Sequence, residues 1–258
     1  MADILSSQQI TQFIQDGFIR IDNAFSATLA EEARTILWRN MPENPHDPAT
    51  WTRPVVRLGM FTEGPFVKAA NTTLLHQVFD QLVGQGKWLP CMAMGTFPVR
   101  FPSPEDPGDA GWHIDVSFAG EDTGDFMEWR ANVQSKNRAL LMLFLFSDTG
   151  EHDAPTRIRK GSHLDVAKLL QPAGEQGLSL REIAASLDAL PSKEEVLATG
   201  KAGTVYLCHP FLVHAAQPHR GKEPRFLAQP PLLLKKELNI EKPEAPVEKA
   251  IHLALAQS

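Results

Sequence analysis

Twenty prolines punctuate the 258 residues and constrain the fold more than any other feature of the sequence. Proline has no N–H to donate and its ring clashes with the preceding helical turn, so long uninterrupted helices are disfavoured through most of the chain. Short strands joined by turns accommodate the same residues at their edges and bends. A compact β-rich body is therefore expected, not a bundle of long helices.

The apolar pattern divides along the chain. Ile10, Phe13 and Ile14 have helical spacing within residues 7–16, and the following GFIRIDNAF alternates as a half-buried strand does. Ser26 can cap a second helix with Leu29, Ala33, Ile36 and Leu37 on one face. Asn71 can cap a third with Leu74, Leu75, Val78, Phe79 and Leu82, which Gly84 ends. Residues 1–90 thus read as mainly helical. From residue 92 the pattern changes to short apolar runs, MAMGTFPVRF, ALLMLFLF, GTVYLC and RFLAQPPLLL, separated by Pro, Gly and Asp. Such strands suggest a barrel or jelly roll over residues 91–235, with 139–146 buried on both faces. Residues 162–200 read as a helical insertion covering the barrel, with Ser179 and Glu182 as a capping box and Ile183, Leu187 and Leu190 as its apolar stripe. In the tail, 236–258, Val247, Ile251 and Leu255 outline an amphipathic helix that packs on the body or on a second subunit. No repeat or linker divides the chain, so one mainly β domain with flanking helices is expected over residues 1–258.

Charge and composition exclude several classes of partner. A formal charge of -6 argues against binding along a phosphate backbone, which draws on clustered Lys and Arg. No apolar run approaches the ~20 residues that span a bilayer, and MADILSSQQI lacks the basic start and long apolar stretch of a signal peptide. Cys91 and Cys208 are too few for a disulfide framework and too far apart for a zinc motif. A soluble cytoplasmic protein, monomeric or homodimeric, is expected, with neither nucleic acid nor membrane as partner.

The chemistry-bearing residues begin at Gly111-Trp112-His113-Ile114-Asp115. On an extended chain, side chains two apart point to one face, so the His113 imidazole and the Asp115 carboxylate can hold one metal ion. Two His and one carboxylate on one side of iron(II) leave positions open for cosubstrate and dioxygen, so a second His is required. About 100 residues later, at the end of an apolar strand, stands GTVYLCHPFLVHAAQPHRGKEPRFLAQ. Of its histidines, His209 has Arg220 eleven residues on and His214 has Arg225 at the same spacing, so spacing does not choose between them. Context does. Arg220 lies in the polar turn HRGKEP, whereas Arg225 opens the apolar strand RFLAQ and would point inward, where a buried guanidinium needs a partner such as a dicarboxylate. His214 and Arg225 are therefore the expected pair, with His209 structural and His219 a turn residue.

These residues resemble the phytanoyl-CoA dioxygenase family of 2-oxoglutarate oxygenases over roughly residues 8–235. The ordered features are the N-terminal helix and GF strand, His113-x-Asp115, Gly161-Ser162-His163, the Gly203-Thr204 strand entry, and His214 with Arg225. The resemblance implies a double-stranded β-helix (jelly roll, cupin-like barrel), with His113, Asp115 and His214 as iron(II) ligands. It implies that Arg225 grips the distal carboxylate of 2-oxoglutarate, and that Thr96 and Arg57 line the cosubstrate cavity. Lys160 stands where the family's turn has Pro, and Ala216 where a hydroxyl often helps hold the cosubstrate. Halogenating members replace the acid with Gly or Ala, so Asp115 implies oxygen insertion, most simply hydroxylation, with dioxygen and a small-molecule substrate as partners and succinate and carbon dioxide released.

For the substrate, Arg53, Arg57, Arg100, Arg130, Arg138, Arg157 and Arg159 would suit an anionic small molecule, although solvated strand-edge pairs account for at least half of them. Trp51, Trp112, Phe118, Phe126 and Trp129 could wall a cavity or belong to the core. Two other functions compete: a cupin-like metalloenzyme that does not use 2-oxoglutarate, and an inactive barrel that binds a small molecule.

Overall fold

The computed structural model describes residues 4–121 and 124–256, so the outermost residues of the expected 1–258 domain lie outside the described residues. Strand Arg138–Leu145 forms the spine of the molecule. Its apolar run is buried on both faces because sheet neighbours flank it and other elements cover it: Val205–Cys208 pairs antiparallel on one side, Leu227–Ala228 and Pro231–Leu234 on the other. Phe18–Ile21 and Trp88–Leu89 complete this sheet at its two edges. A three-stranded sheet of His214–Ala215, Arg157–Arg159 and Glu195–Leu197 and a two-stranded pair, Val55–Leu58 with Phe97–Arg100, supply the other strands that matter here.

The helices flank the sheets. α1 (Ser7–Asp16) and α2 (Ala27–Arg39) start at Ser6 and Ser26, each of whose hydroxyls accepts a backbone N–H three residues on. α3 (Gly64–Ala70) was not legible in the sequence, being short and carrying Gly and Pro in its first turn. It also corrects the expected cap, because Asn71 ends α3 while Thr72 caps α4 (Thr73–Val83). Asn71 instead accepts the Cys91 N–H and donates to the carbonyls of Val67 and Cys91, tying the two helices to the chain beyond them.

The insertion is less helical than expected. It holds α5 (Ser162–Leu170) and α6 (Leu180–Ser186), the latter with the expected Ser179–Glu182 capping box. Two strand segments, Leu178–Ser179 and Glu195–Leu197, lie within it because each finds a sheet partner, Arg130–Ala131 and Arg157–Arg159 respectively. Tertiary pairing there overrides local propensity. The tail forms α7 (Pro246–Ala256), whose Val247, Ile251 and Ala254 are buried against α1, α4 and α5 of the same chain.

Two glycine-bearing turns connect this frame to the site. Gly203 has φ +99°, and a Cβ there would stand 2.4 Å from the Phe25 carbonyl oxygen, so the strand entry takes only glycine. Gly161 has φ +75° and precedes Ser162, whose buried Oγ accepts the Val213 N–H at 2.9 Å. That bond, with Arg159 N donating to the Val213 carbonyl at 2.9 Å, anchors the backbone immediately before His214.

Candidate metal centre

The two histidines meet through their own backbones. His113 and His214, 101 positions apart in number, form an antiparallel bridge, with N–H to carbonyl distances of 3.0 and 2.9 Å and ring centroids 4.4 Å apart. Asp115 lies two residues beyond His113, and one donor atom from each of His113, Asp115 and His214 falls within 4.8 Å of the others. His113 Nδ1 lies 2.9 Å from the Gly111 carbonyl, and His214 Nδ1 3.0 Å from that of Leu212. A carbonyl only accepts, so each Nδ1 carries the ring proton and each Nε2 is left with its lone pair. His214 Nε2 is buried, 3.7 Å from Asp115 Oδ1, and has no hydrogen-bond partner among the described residues. Two imidazole nitrogens and one carboxylate oxygen converging in this way fit a divalent first-row metal ion.

Electrostatics keep the set ready to ligate. Burial drives the His214 pKa down to about 4, and nearby His113 adds to the shift, so the ring is neutral across the physiological range. Burial works to raise the Asp115 pKa, but Arg138 and the two imidazoles outweigh it and hold the carboxyl below its ordinary value. Arg138 is the closest of these, donating from Nη1 to Asp115 Oδ2 at 2.9 Å.

Beside the histidines opens a cavity of about 310 Å³ that reaches Thr96, Arg57, Arg100, Asp109 and Arg225. A larger cleft of about 830 Å³, bounded by Phe118, Glu121, Asp125 and Arg130, lies elsewhere and holds none of the three converging residues. His113 and His214 therefore open onto the smaller cavity. Arg225 is 2% exposed; its Nη1 and Nη2 donate to the carbonyls of Ala154 and Pro98 at 2.5 and 3.1 Å. Burial, followed by the like charge of Arg100, lowers its pKa to about 9, against a smaller opposing pull from Asp109. Arg100 is bridged to Arg225 by both backbone N–H groups and is equally buried, with Nη2 on Asp109 Oδ2 at 2.7 Å. Asp109 also receives Arg57 at 2.5 Å, and Arg57 stands at the rim, 54% exposed. Two guanidinia thus share the Asp109 carboxylate while that of Arg225 is held by backbone carbonyls, leaving a local excess of positive charge that suits an anionic ligand.

The structure divides the candidate arginines and aromatics between this cavity and other places. Of the arginines, Arg57 and Arg100 line this cavity, while Arg53 pairs with Glu43 and Arg130 bonds the carbonyls of Gln176 and Gly177. Arg157 and Arg159 lie over the Trp112 ring at 4.5 and 4.3 Å. Of the aromatics, Phe126 lines the cavity, whereas Trp51 packs against Trp38 and Phe101. Asp109 and the role of Arg138 were not identified from the sequence.

A profile of the phytanoyl-CoA dioxygenase (PhyH) family matches residues 13–227. The chain belongs to the phytanoyl-CoA dioxygenase family. As a member it is an iron- and 2-oxoglutarate-dependent oxygenase. Among curated proteins none matches the chain. Solved structures do, at low identity. HygX from Streptomyces hygroscopicus with nickel, 2-oxoglutarate and hygromycin B bound is 21% identical, with 87% of this chain and 86% of that one covered and a TM-score of 0.54. SnoK, a non-haem α-ketoglutarate-dependent carbocyclase from nogalamycin biosynthesis, is 13% identical over 90% of this chain and 84% of its own, with a TM-score of 0.57. GIG2 from Candida albicans is 16% identical over 93% and 65%, with a TM-score of 0.59. These likenesses establish the jelly-roll fold of the oxygenases for this family member. No helix among the described residues is long and apolar enough to cross a membrane.

Three further buried histidines, His163, His209 and His219, bond to backbone groups outside the converging set. His209 Nδ1 accepts the Phe211 N–H and its Nε2 donates to the Val247 carbonyl, which fixes α7. His163 Nε2 donates to the Ile14 carbonyl, and His219 Nδ1 accepts the Gly221 N–H, so the turn residue is a buried one. Burial lowers the pKa of His163 and His219 to about 4 and that of His209 further below the ordinary 6.5. A buried base with a lowered pKa leaves the unfolded chain holding more protons at intermediate pH, so stability falls with pH below about 6.5 and continues to fall towards 4. The melting temperature of the metal-free protein is expected to drop steeply between pH 6.5 and 4.5. A flat profile across that window would refute the buried neutral state of these rings.

Proposed function

We propose that His113, Asp115 and His214 hold iron(II), that Arg225 holds the distal carboxylate of 2-oxoglutarate, and that the chain hydroxylates a small organic substrate as a single domain. The observation that carries the reading is the convergence of three ligand atoms, one an unpartnered buried imidazole nitrogen, beside a cavity with buried guanidinia. Bound iron(II) and 2-oxoglutarate would supply the oxidising power, with succinate and carbon dioxide released.

The residues do the positioning. The Gly111 and Leu212 carbonyls hold both Nδ1 protons, which aims the Nε2 lone pairs at one point. Arg225, fixed by two backbone carbonyls, offers a rigid cationic fork rather than a free side chain. Arg100 adds a second positive charge at the same cavity, and Asp109 pairs with both Arg100 and Arg57. Thr96 lines the same cavity and offers a hydroxyl to the cosubstrate. Phe126, largely exposed at the cavity, gives an apolar surface to the organic part of a substrate.

The test is anaerobic addition of iron(II) and 2-oxoglutarate, with the weak visible charge-transfer band of the chelate as readout. Wild type is expected to develop the band, and His214→Ala to lose it. Absence from wild type, or persistence in both His214→Ala and Asp115→Ala, overturns the reading. Succinate release driven by candidate substrates, followed by mass analysis, then separates hydroxylation, a gain of one oxygen, from ring closure or epimerisation.

A further inference from the structure

Asp115 has two carboxylate oxygens, and they face different partners. Oδ1 stands 3.7 Å from His214 Nε2, on the side where the ligand atoms converge. Oδ2 is turned away and accepts Arg138 Nη1 at 2.9 Å. Arg138 also donates from Nη2 to the carbonyl of Val116 at 3.1 Å, so one guanidinium grips the Asp115 side chain and the backbone of the next residue. Its side chain is 11% exposed, which shields the pair from competing water.

The base of Arg138 is equally fixed. It opens the strand Arg138–Leu145, buried at every position after it, its N–H donates to the Ser135 carbonyl at 3.1 Å, and its carbonyl accepts Ser135 Oγ at 2.8 Å. The spine of the main sheet therefore delivers a charge to the far side of the expected metal ligand. Rotation of Asp115 that brought Oδ2 round to a metal would break a charge-assisted bond in a largely buried place.

We propose that Arg138 is a positioning residue that restricts Asp115 to one-oxygen ligation, and so preserves a coordination position that a chelating carboxylate would occupy. The proposal rests on the iron-site reading above. Carboxylates bind metal ions through one oxygen or two, and nothing in Asp115 itself selects between these modes. A facial triad is useful because it leaves about three positions open, two for a chelating keto acid and one for dioxygen, and a second Asp115 oxygen would take one of them. Groups hydrogen-bonded to metal ligands govern orientation in this way.

Manganese(II) tests the idea, because water-proton relaxation of the manganese-loaded protein counts the exchangeable waters on the ion independently of catalysis. Wild type is expected to hold about three such waters, one per open position of the triad. Arg138→Met is expected to bind manganese with relaxation lowered by about a third, as Oδ2 displaces one water. Arg138→Lys, which restores a cationic donor, is expected to return most of the loss; a purely structural role would not give that rescue. Should Arg138→Met fail to fold, Arg138→Gln removes the charge with a smaller change of shape and is read in the same way. Unchanged relaxation in the folded, metal-loaded neutral variant overturns the proposal and leaves the triad standing. Failure of wild type to bind manganese, or binding that survives His214→Ala undiminished, overturns the site reading itself.

Discussion

His214→Ala and Asp115→Ala are each expected to lower iron(II) affinity by on the order of 100-fold, yet to affect the metal-free protein differently. Structural zinc sites gain roughly 10–16 kcal/mol from four ligands, so one ligand is worth about 3 kcal/mol, which corresponds to about two orders of magnitude. Removing His214 deletes a ring whose Nε2 is buried and unpartnered among the described residues, and this relief offsets part of the cost of the space it leaves. Removing Asp115 strands Arg138, whose Nη1 loses its carboxylate in a nearly buried position. Asp115 is itself about a quarter exposed, at 26%, so solvent softens the penalty, and a loss of about 1–3 kcal/mol is expected. Anaerobic competition with a coloured chelator gives the affinities, and thermal melts of the apoproteins give the stabilities. Iron affinity within threefold of wild type for either variant would remove that residue from the metal site.

The convergence of His113, Asp115 and His214 was legible because each step had a local signature. Alternation placed His113 and Asp115 on one face, and the strand context of Arg225 favoured His214 over His209. The structure places His209 against Val247 and Phe211, outside the converging set. The rule that found Arg225, a guanidinium at the end of an apolar strand, applies equally to Arg138 ahead of ALLMLFLF and to Arg100 at the close of FPVR, but both stayed among the arginines expected to serve a substrate or solvent. Asp109 has no such signature. It lies in a stretch outside the named strands and helices, and its value comes from Arg57 and Arg100 reaching it from the Val55–Leu58 and Phe97–Arg100 pair. The strand at 195–197 was hidden for the same reason: a three-residue segment acquires its structure only from the partner it pairs with.

Arg225→Met is expected to weaken 2-oxoglutarate binding by at least ~30-fold while leaving iron(II) affinity and the melting temperature close to wild type. Truncating a buried charged partner of a carboxylate costs roughly 2–5 kcal/mol of binding, the lower bound being about 30-fold. The same change should cost the fold little, because the free energies oppose one another. Arg225 is buried next to Arg100, and its pKa is pushed down to about 9 by burial and by that neighbour, so its charge opposes folding. A Met of comparable length removes both desolvation and repulsion but leaves the carbonyls of Ala154 and Pro98 without this donor, a penalty of about 1–3 kcal/mol. The two contributions are similar in size, and buried charges can be exchanged for apolar side chains at little net cost. Titration of the anaerobic iron(II) protein with 2-oxoglutarate, read by the chelate band, separates the outcomes. Lost stability with intact keto-acid affinity would make Arg225 a structural residue; lost affinity at unchanged stability makes it the anchor. Arg225→Lys retains charge without the planar fork and should fall between wild type and Met, because a point charge cannot hold both carboxylate oxygens in the guanidinium's geometry.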